Sequence, residues 1–484
     1  MSQPIEADYN QSFLFPPRLD DWVGERHPAR FIRQVVEELD LAAAGIVGSE
    51  GEAGRPHYGA RLLLKVWLYG FFHKVRSTRG LERLCANDVG LLWLAGLHRP
   101  DHNTLWRFFR TNRAALEGVF GQVVRLAMGM ELVDLALGAL DGTKIVADVQ
   151  RDGAWHRPEL LQQLAKVEEA IQEITAKIAA GEAAEGAYEL PAEVAAELAD
   201  REAGRERIRQ GLAELAAAGT DHLSRTDEAA RMMPSGGRKE FGYNAQSLVD
   251  GQTGIVVAAD VVTEANDSHQ LTRMIAAGAA VTGQAAAVTV ADAGYYAGAE
   301  VAAAMDRGYE VVVPVREGSS ERKQGQFHLT RFVYEAETDT YRCPLGGQLV
   351  AAGTSRSRRG AASDRVYECR SWRTCAAHGQ CTRSREGRRI KITPYRAEAD
   401  RRKQRAAQDR VWLKRRLGLA EPVFGFIKHI LGFRRWTVRG PINVRAQWFL
   451  LCTTVNLHKM FRHWAPHRTR APGDGGGGCW VPAG

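Results

Sequence analysis

The chain has 484 residues, more than one hydrophobic core usually holds, so about two to four domains are expected. At 45% hydrophobic and 25% charged residues, with seven cysteines, it is neither a disordered segment nor a disulfide scaffold. No stretch approaches the ~18 consecutive apolar residues of a membrane span, and a net charge of +8 favours a polyanionic partner.

In chain order, Met1 to Phe15 lacks the basic-then-apolar pattern of a signal peptide, so a reducing, cytoplasmic setting is expected. Tyr9 to Met130 carries apolar residues at helical spacing. Ala60–Phe72 predicts one helix and Gly80–Leu84 a short one. A third follows His102, with Asn103 or Thr104 as its N-cap and Arg107 and Arg110 among its aromatics. A helical module of this kind, residues 1–130, suits DNA binding through the major groove; packing alone is the competing reading.

Leu132 to Val146 is strand-like and contains Asp141. From Pro158 to Leu215 the composition shifts to Ala, Glu, Gln, Leu and Arg, interrupted over Gly181 to Pro191, which predicts an inserted helical hairpin. Phe241–Val249 and Ile255–Val262 flank the turn sequence Asp250-Gly251-Gln252-Thr253-Gly254. A helix over His269–Ala280, a strand over Ala285–Ala291 ending at Asp292, a helix over Ala299–Arg307 and a strand over Tyr309–Val315 follow. Without the insert, this is the succession of a ribonuclease-H-like mixed sheet flanked by helices, an α/β fold in which the first and fourth strands are parallel neighbours. Asp141 and Asp292 would then lie side by side.

The region Glu317 to Pro394 is polar and contains Cys343, Cys369, Cys375 and Cys381. A basic helix is expected over Ala397–Leu417, broken at Gly418 and Pro422, with a second helix over Pro422–Leu431 and Glu421 at its start. Arg383 to Arg439 holds eighteen Lys or Arg against five acids. The domains read as 1–130 (helical), 131–157 (start of the core), 158–225 (hairpin), 226–316 (core), 317–396 (cysteine-containing insert), 397–463 (basic helices completing the core) and 464–484 (a Gly-rich, disordered tail).

A carboxylate ending a buried strand is costly unless a cation pairs it. Asp141, Asp292 and Glu421 on such a scaffold suit two-metal phosphoryl transfer, although a lone Asp-Gly more often caps a turn. Cys343-Pro344-Leu345-Gly346 is similar to a zinc-knuckle turn. The four cysteines, with His378 as a spare ligand, read either as structural Zn²⁺ ligands or as reduced, partly buried thiols. Cys85, Cys452 and Cys479 have no ligand context, and His429 and His458 read as phosphate contacts or surface residues.

Four segments together carry a resemblance: Asp141-Gly142-Thr143-Lys144, Gly242-Tyr243-Asn244-Ala245-Gln246, Ala291-Asp292-Ala293-Gly294-Tyr295 and Glu421-Pro422-Val423-Phe424-Gly425-Phe426-Ile427-Lys428. Over roughly Tyr9 to Met460 the chain resembles a bacterial insertion-sequence transposase of the DDE type. The resemblance implies that Asp141, Asp292 and Glu421 bind two Mg²⁺ ions, for which Mn²⁺ can stand in. These ions would activate water and then a DNA 3′-hydroxyl, with no nucleophilic Tyr or Ser. It also implies that Lys428 contacts transposon-end DNA. Lys414 and Leu417 stand where the family's signature has Tyr and Arg; Arg415 and Arg416 are the substitutes, and Arg434 and Arg435 extend the basic surface. The implied partners are the transposon ends and target DNA, with a homodimer assembled on DNA near the nucleoid and no membrane. The other classes open are a sequence-specific DNA-binding protein without catalysis and a metal-dependent nuclease without joining activity.

Overall fold

The computed structural model describes residues 18–47, 57–150, 154–185, 191–235, 237–314, 325–335, 337–355, 364–392 and 396–464. The expected tail lies, beyond Trp464, outside them. Six helices come first: α1 (Pro28–Glu38), α2 (Ala60–Phe72), α3 (Thr78–Asn87), α4 (Val89–Leu94), α5 (His102–Asn112) and α6 (Leu116–Gly129). They lead into β1 (Gly138–Val146). Strand β2 (Ala154–His156), helices α7 (Arg157–Glu185) and α8 (Ala192–Ala217), and β3 (His222–Ser224) form the insert. Then come β4 (Arg231–Ser235), β5 (Arg238–Asp250), β6 (Val256–Val262), α9 (Leu271–Thr282), β7 (Thr289–Val290), α10 (Gly298–Asp306) and β8 (Val311–Val312). The cysteine region contributes β9 (Val333–Glu335), β10 (Thr340–Arg342), β11 (Gln348–Ser355), β12 (Asp364–Cys369), α11 (His378–Cys381) and β13 (Arg389–Ile392). Helices α12 (Arg396–Gly425) and α13 (Pro441–His463) close the chain.

These elements divide between two compact units. The first comprises 1–134, 142–265 and 422–484. Helix α2 is apolar on most of its faces, so nine of its residues, from Leu63 to Phe72, are buried. The N-cap of helix α5 lies two residues before the nearer expected cap, Asn103: it is Asp101, which accepts the Thr104 N–H at 2.7 Å. A carboxylate there also meets the positive end of the helix dipole. Strands β5 and β6 form an antiparallel hairpin with Gln246 opposite Asp260. Its turn needs Gly254, whose φ is +77°.

Helix α13 is the spine of this unit. Its side chains are buried almost continuously from Val444 to Met460. Asn456 serves as a substitute strand, accepting the Val256 N–H and donating to the Val256 carbonyl, both at 2.8 Å. Trp448 donates to the Gln246 carbonyl at 2.9 Å. Helices α7 and α8 pack through a narrow seam of Leu160, Ile208 and Leu215, with Leu164, Val167 and Leu212 beside it. The hairpin expected from composition is therefore present, with 186–190 outside the described residues.

The second unit comprises 135–141 and 266–421. The first residues of β1 pair in parallel with β7, and β7 pairs in parallel with β8. Leu137, Val290 and Val312 pack there with Trp412, Leu413 and Leu419 of α12. The cysteine region is an antiparallel sheet in the order β13-β12-β11-β10-β9, strands beyond those expected from the sequence. Phe332, Tyr341, Leu349, Tyr367, Ile390 and Ile392 are its core.

One expected boundary is overturned. The chain does not break at Gly418: α12 continues to Gly425 with Pro422 inside it, then widens into a π-helical turn over Phe426–Ile430. Glu421 therefore lies within the end of a long helix rather than at the start of a new one. Pro422 removes one backbone donor near the helix end, while buried Ala420, Val423 and Phe424 keep the turn packed. Among the described residues, no helix is long and apolar enough to cross a membrane.

Candidate active site

Two aspartates meet because of strand register. Gly138 pairs with Thr289 and Ala139 with Val290, in parallel. Two residues further along each chain stand Asp141, still within β1, and Asp292, just past the end of β7, and neighbouring strands of a sheet lie about 4.8 Å apart. Leu140, Val290 and Ala291 are fully buried around them.

Each carboxylate already has a role in this state. Asp141 Oδ2 accepts from Arg416 Nη1 at 2.8 Å, and both side chains are largely buried (16% and 10% exposed). Asp292 Oδ1 accepts the Gly294 N–H at 2.7 Å and caps the short turn Ala293–Tyr295. Tyr295 is fully buried, which pushes its phenol well above its ordinary value. Asp267, Asp141 and Asp292 push it further, while Arg416 opposes them. Burial and the three acids thus favour the protonated phenol.

Asp267, in the loop between β6 and α9, was not singled out from the sequence. An isolated acid in a polar loop carries no spacing signal. Its place beside Asp292 is set by Gly294: a Cβ built there would lie 2.9 Å from Asp292 Oδ1 and 3.5 Å from Asp267 Oδ2. Glycine leaves this niche between two carboxylate oxygens open.

Glu421 is exposed. It stands five residues beyond Arg416 on α12, about 140° around the helix axis. The structure therefore brings Asp141 and Asp292 together and adds Asp267, while Glu421 points away from the Arg416 side of its helix. No three His, Cys, Asp or Glu side chains among the described residues stand as a ready ligand set for a metal ion. Mg²⁺ keeps several waters and needs only one or two protein carboxylates, so the hard oxygens of Asp141 and Asp292 beside the Gly294 niche suit it.

The cysteines gather at one end of the antiparallel sheet. Cys343 follows β10 in a tight turn, where the Gly347 N–H donates to its Sγ at 3.3 Å. Cys369 ends β12 opposite Leu349. Cys375 and Cys381 lie in the short helical segment that follows, where His378 Nε2 instead meets the Ser384 carbonyl at 3.0 Å. Burial raises the Cys381 thiol, and the other three sulfurs act on it in the same direction. The thiols are free.

The basic residues divide by exposure. Arg107 and Arg110 are exposed on α5, beside the exposed Trp106. Arg415 is exposed on α12, its guanidinium 5.4 Å from the Trp412 ring centroid, whereas Arg416 is buried on Asp141. Lys428 is half-buried; burial and the charges of Arg434 and Lys144 lower its amine. Arg434 reaches His429, and Arg435 donates to the Ala147 carbonyl at 3.2 Å. His458 is neither exposed nor at a phosphate position: it stacks on Phe72 at 3.7 Å between ring centroids.

The Gly242–Gln246 segment has a structural task. A Cβ at Gly242 would meet the Ile145 carbonyl at 2.6 Å, so only glycine lets the two backbones approach. Buried Tyr243 donates to Asp227 Oδ1 at 2.7 Å, and the Gly440 N–H donates to Asp227 Oδ2 at 3.2 Å.

Residues 342–461 match the family model described as "Transposase DDE domain", and residues 17–111 that described as "Transposase domain (DUF772)". The first match contains Glu421, Lys428 and the four clustered cysteines; Asp141 and Asp292 lie outside it. No curated protein and no solved structure matches the chain.

Proposed function

We propose that the chain is a DDE-type transposase of an insertion sequence, as its two transposase-domain matches support, and that it binds the terminal inverted repeats of its element and catalyses metal-dependent DNA cleavage and strand transfer. The observation that supports this reading is the parallel pairing of β1 with β7, which ends two residues before Asp141 and Asp292. The parallel run β1, β7, β8 and the antiparallel hairpin β5–β6 support a ribonuclease-H-like core.

In this reading Asp141 and Asp292 hold the divalent ions, Mg²⁺ foremost, and Glu421 is the third acid, joining them when DNA is bound. Held by these carboxylates, divalent ions would supply the activation of an oxygen nucleophile and the stabilisation of the leaving oxygen in an in-line displacement. The chain's own groups do the rest. Gly294 keeps the niche open, and Tyr295, buried and protonated, fixes the floor beneath the acids. Exposed Arg107, Arg110 and Arg415, with Lys428, Arg434 and Arg435, supply the charge that holds phosphates and sets the register of the duplex. Two copies of the chain assemble on the paired ends. The four clustered thiols would hold a structural Zn²⁺, with the Gly347 N–H stabilising the Cys343 sulfur.

The test uses oligonucleotide duplexes carrying the terminal repeats that flank the coding sequence. Asp141→Asn, Asp292→Asn and Glu421→Gln should each lower Mg²⁺-dependent cleavage by at least about a hundredfold, as loss of a group that stabilises transition-state charge does. Binding of the same duplex should stay close to that of the parent. A variant with parental cleavage removes that residue from the site.

A further inference from the structure

The carboxylate that β1 delivers to the centre is already neutralised from within. Arg416 projects from α12, its guanidinium is buried, and Nη1 lies 2.8 Å from Asp141 Oδ2. The buried Tyr295 phenol feels the charges of Asp267, Asp141, Asp292 and Arg416 together, so these groups share one neighbourhood. A divalent ion on Asp141 would sit about 2.1 Å from a carboxylate oxygen and thus within a few ångströms of the guanidinium, where like charges repel strongly in a partly buried setting. The two cations compete for one carboxylate.

We propose that Arg416 is a displaceable counter-ion. It holds Asp141 while the centre is without metal, keeps the acids from closing on an ion, and swings away when the metal enters. This rests on the reading of Asp141 and Asp292 as the metal carboxylates. In this structure Asp141 is turned to the guanidinium. It also gives the burial of Arg416 a purpose that its exposed neighbour Arg415 does not share. A buried charge pair contributes little net stability compared with an apolar replacement, yet removing one partner is costly, so its presence asks for a functional reason.

The experiment measures Mn²⁺ binding to the full chain without DNA, reading free Mn²⁺ by electron paramagnetic resonance. Arg416→Gln should bind Mn²⁺ about tenfold more tightly than the parent, because the competitor is gone. Arg416→Lys, which keeps the charge but loses the planar fork, should fall between the two. Affinity in Arg416→Gln equal to or below the parental value overturns the proposal. Because that variant leaves Asp141 buried without its partner, thermal unfolding is measured alongside. The rise in Tm on adding saturating Mn²⁺ should be larger in Arg416→Gln than in the parent, and an equal or smaller rise contradicts the counter-ion role even if the variant is less stable. Asp292→Asn separates the two levels of the argument. It should weaken Mn²⁺ binding in the parent and in Arg416→Gln alike. Unchanged binding in both would show that the acid pair is not the metal site, and the counter-ion proposal would fall with that reading.

Discussion

His458 illustrates how far a side chain's packing outweighs its neighbours in sequence. Flanking basic residues suggested a surface or phosphate contact, but α13 turns the ring onto Phe72, where Nε2–H donates to the Phe72 carbonyl at 3.2 Å. Burial, the largest influence, depresses its pKa from 6.5 to about 4. A folded-state value below the unfolded one means that the native state binds fewer protons, so this contribution is complete above about pH 6.5 and is lost as pH falls towards 4. With allowance for partial solvent access, it is worth about 1–2 kcal/mol. Urea unfolding at pH 7 and pH 4.5 checks it: the parent should lose about that much more stability than His458→Gln over this interval, and equal losses would refute the assignment. The aspartates were more legible than this histidine, because an acid at the end of an apolar run is costly and conspicuous. Asp267 was not, since only the folded loop and the missing Cβ of Gly294 bring it to Asp292.

Among the elements, those with strong periodicity were read almost to the residue. Helix α2 runs over Ala60–Phe72 as its apolar spacing predicts, and α7 and α8 flank the expected interruption. The sheet of the cysteine region was missed for a physical reason. Its strands are short, and charged pairs such as Arg342–Glu335, Arg365–Asp339 and Arg389–Glu368 occupy positions where an apolar–polar alternation would have signalled a strand. Its small core makes a metal staple useful, as in other small domains. Purified protein should therefore contain close to one zinc per chain. Cys381→Ser should lose that zinc and unfold its sheet at lower temperature, because metal-binding free energy is folding free energy. Less than about a tenth of a zinc in the parent, with all four thiols reacting freely, would leave the cluster as ordinary thiols. Helix α12 shows the opposite error: Gly418 and Pro422 are strong local stop signals, yet packing of Ala420, Val423 and Phe424 carries the helix through them.

For the whole molecule, the chain's path through β1 matters most. One strand contributes Gly138–Asp141 to the unit that holds the acids and Gly142–Val146 to the unit built on α13. The two family matches fall at 17–111 and 342–461, and the residues between them supply Asp141 and Asp292. The order of elements, and with it the adjacency of the aspartates, was legible because apolar strands alternate with helices over Phe241 to Val315. The Arg416–Asp141 pair was not, because it joins positions 275 residues apart. The central claim is that Asp141 and Asp292 together hold the catalytic metal, and anomalous diffraction from crystals grown with Mn²⁺ tests it most directly. A Mn²⁺ peak within about 2.0–2.3 Å of one oxygen from each aspartate, with Arg416 withdrawn from Asp141, is the predicted result. Saturating Mn²⁺ that leaves both carboxylates without the ion, Arg416 still on Asp141, would contradict it.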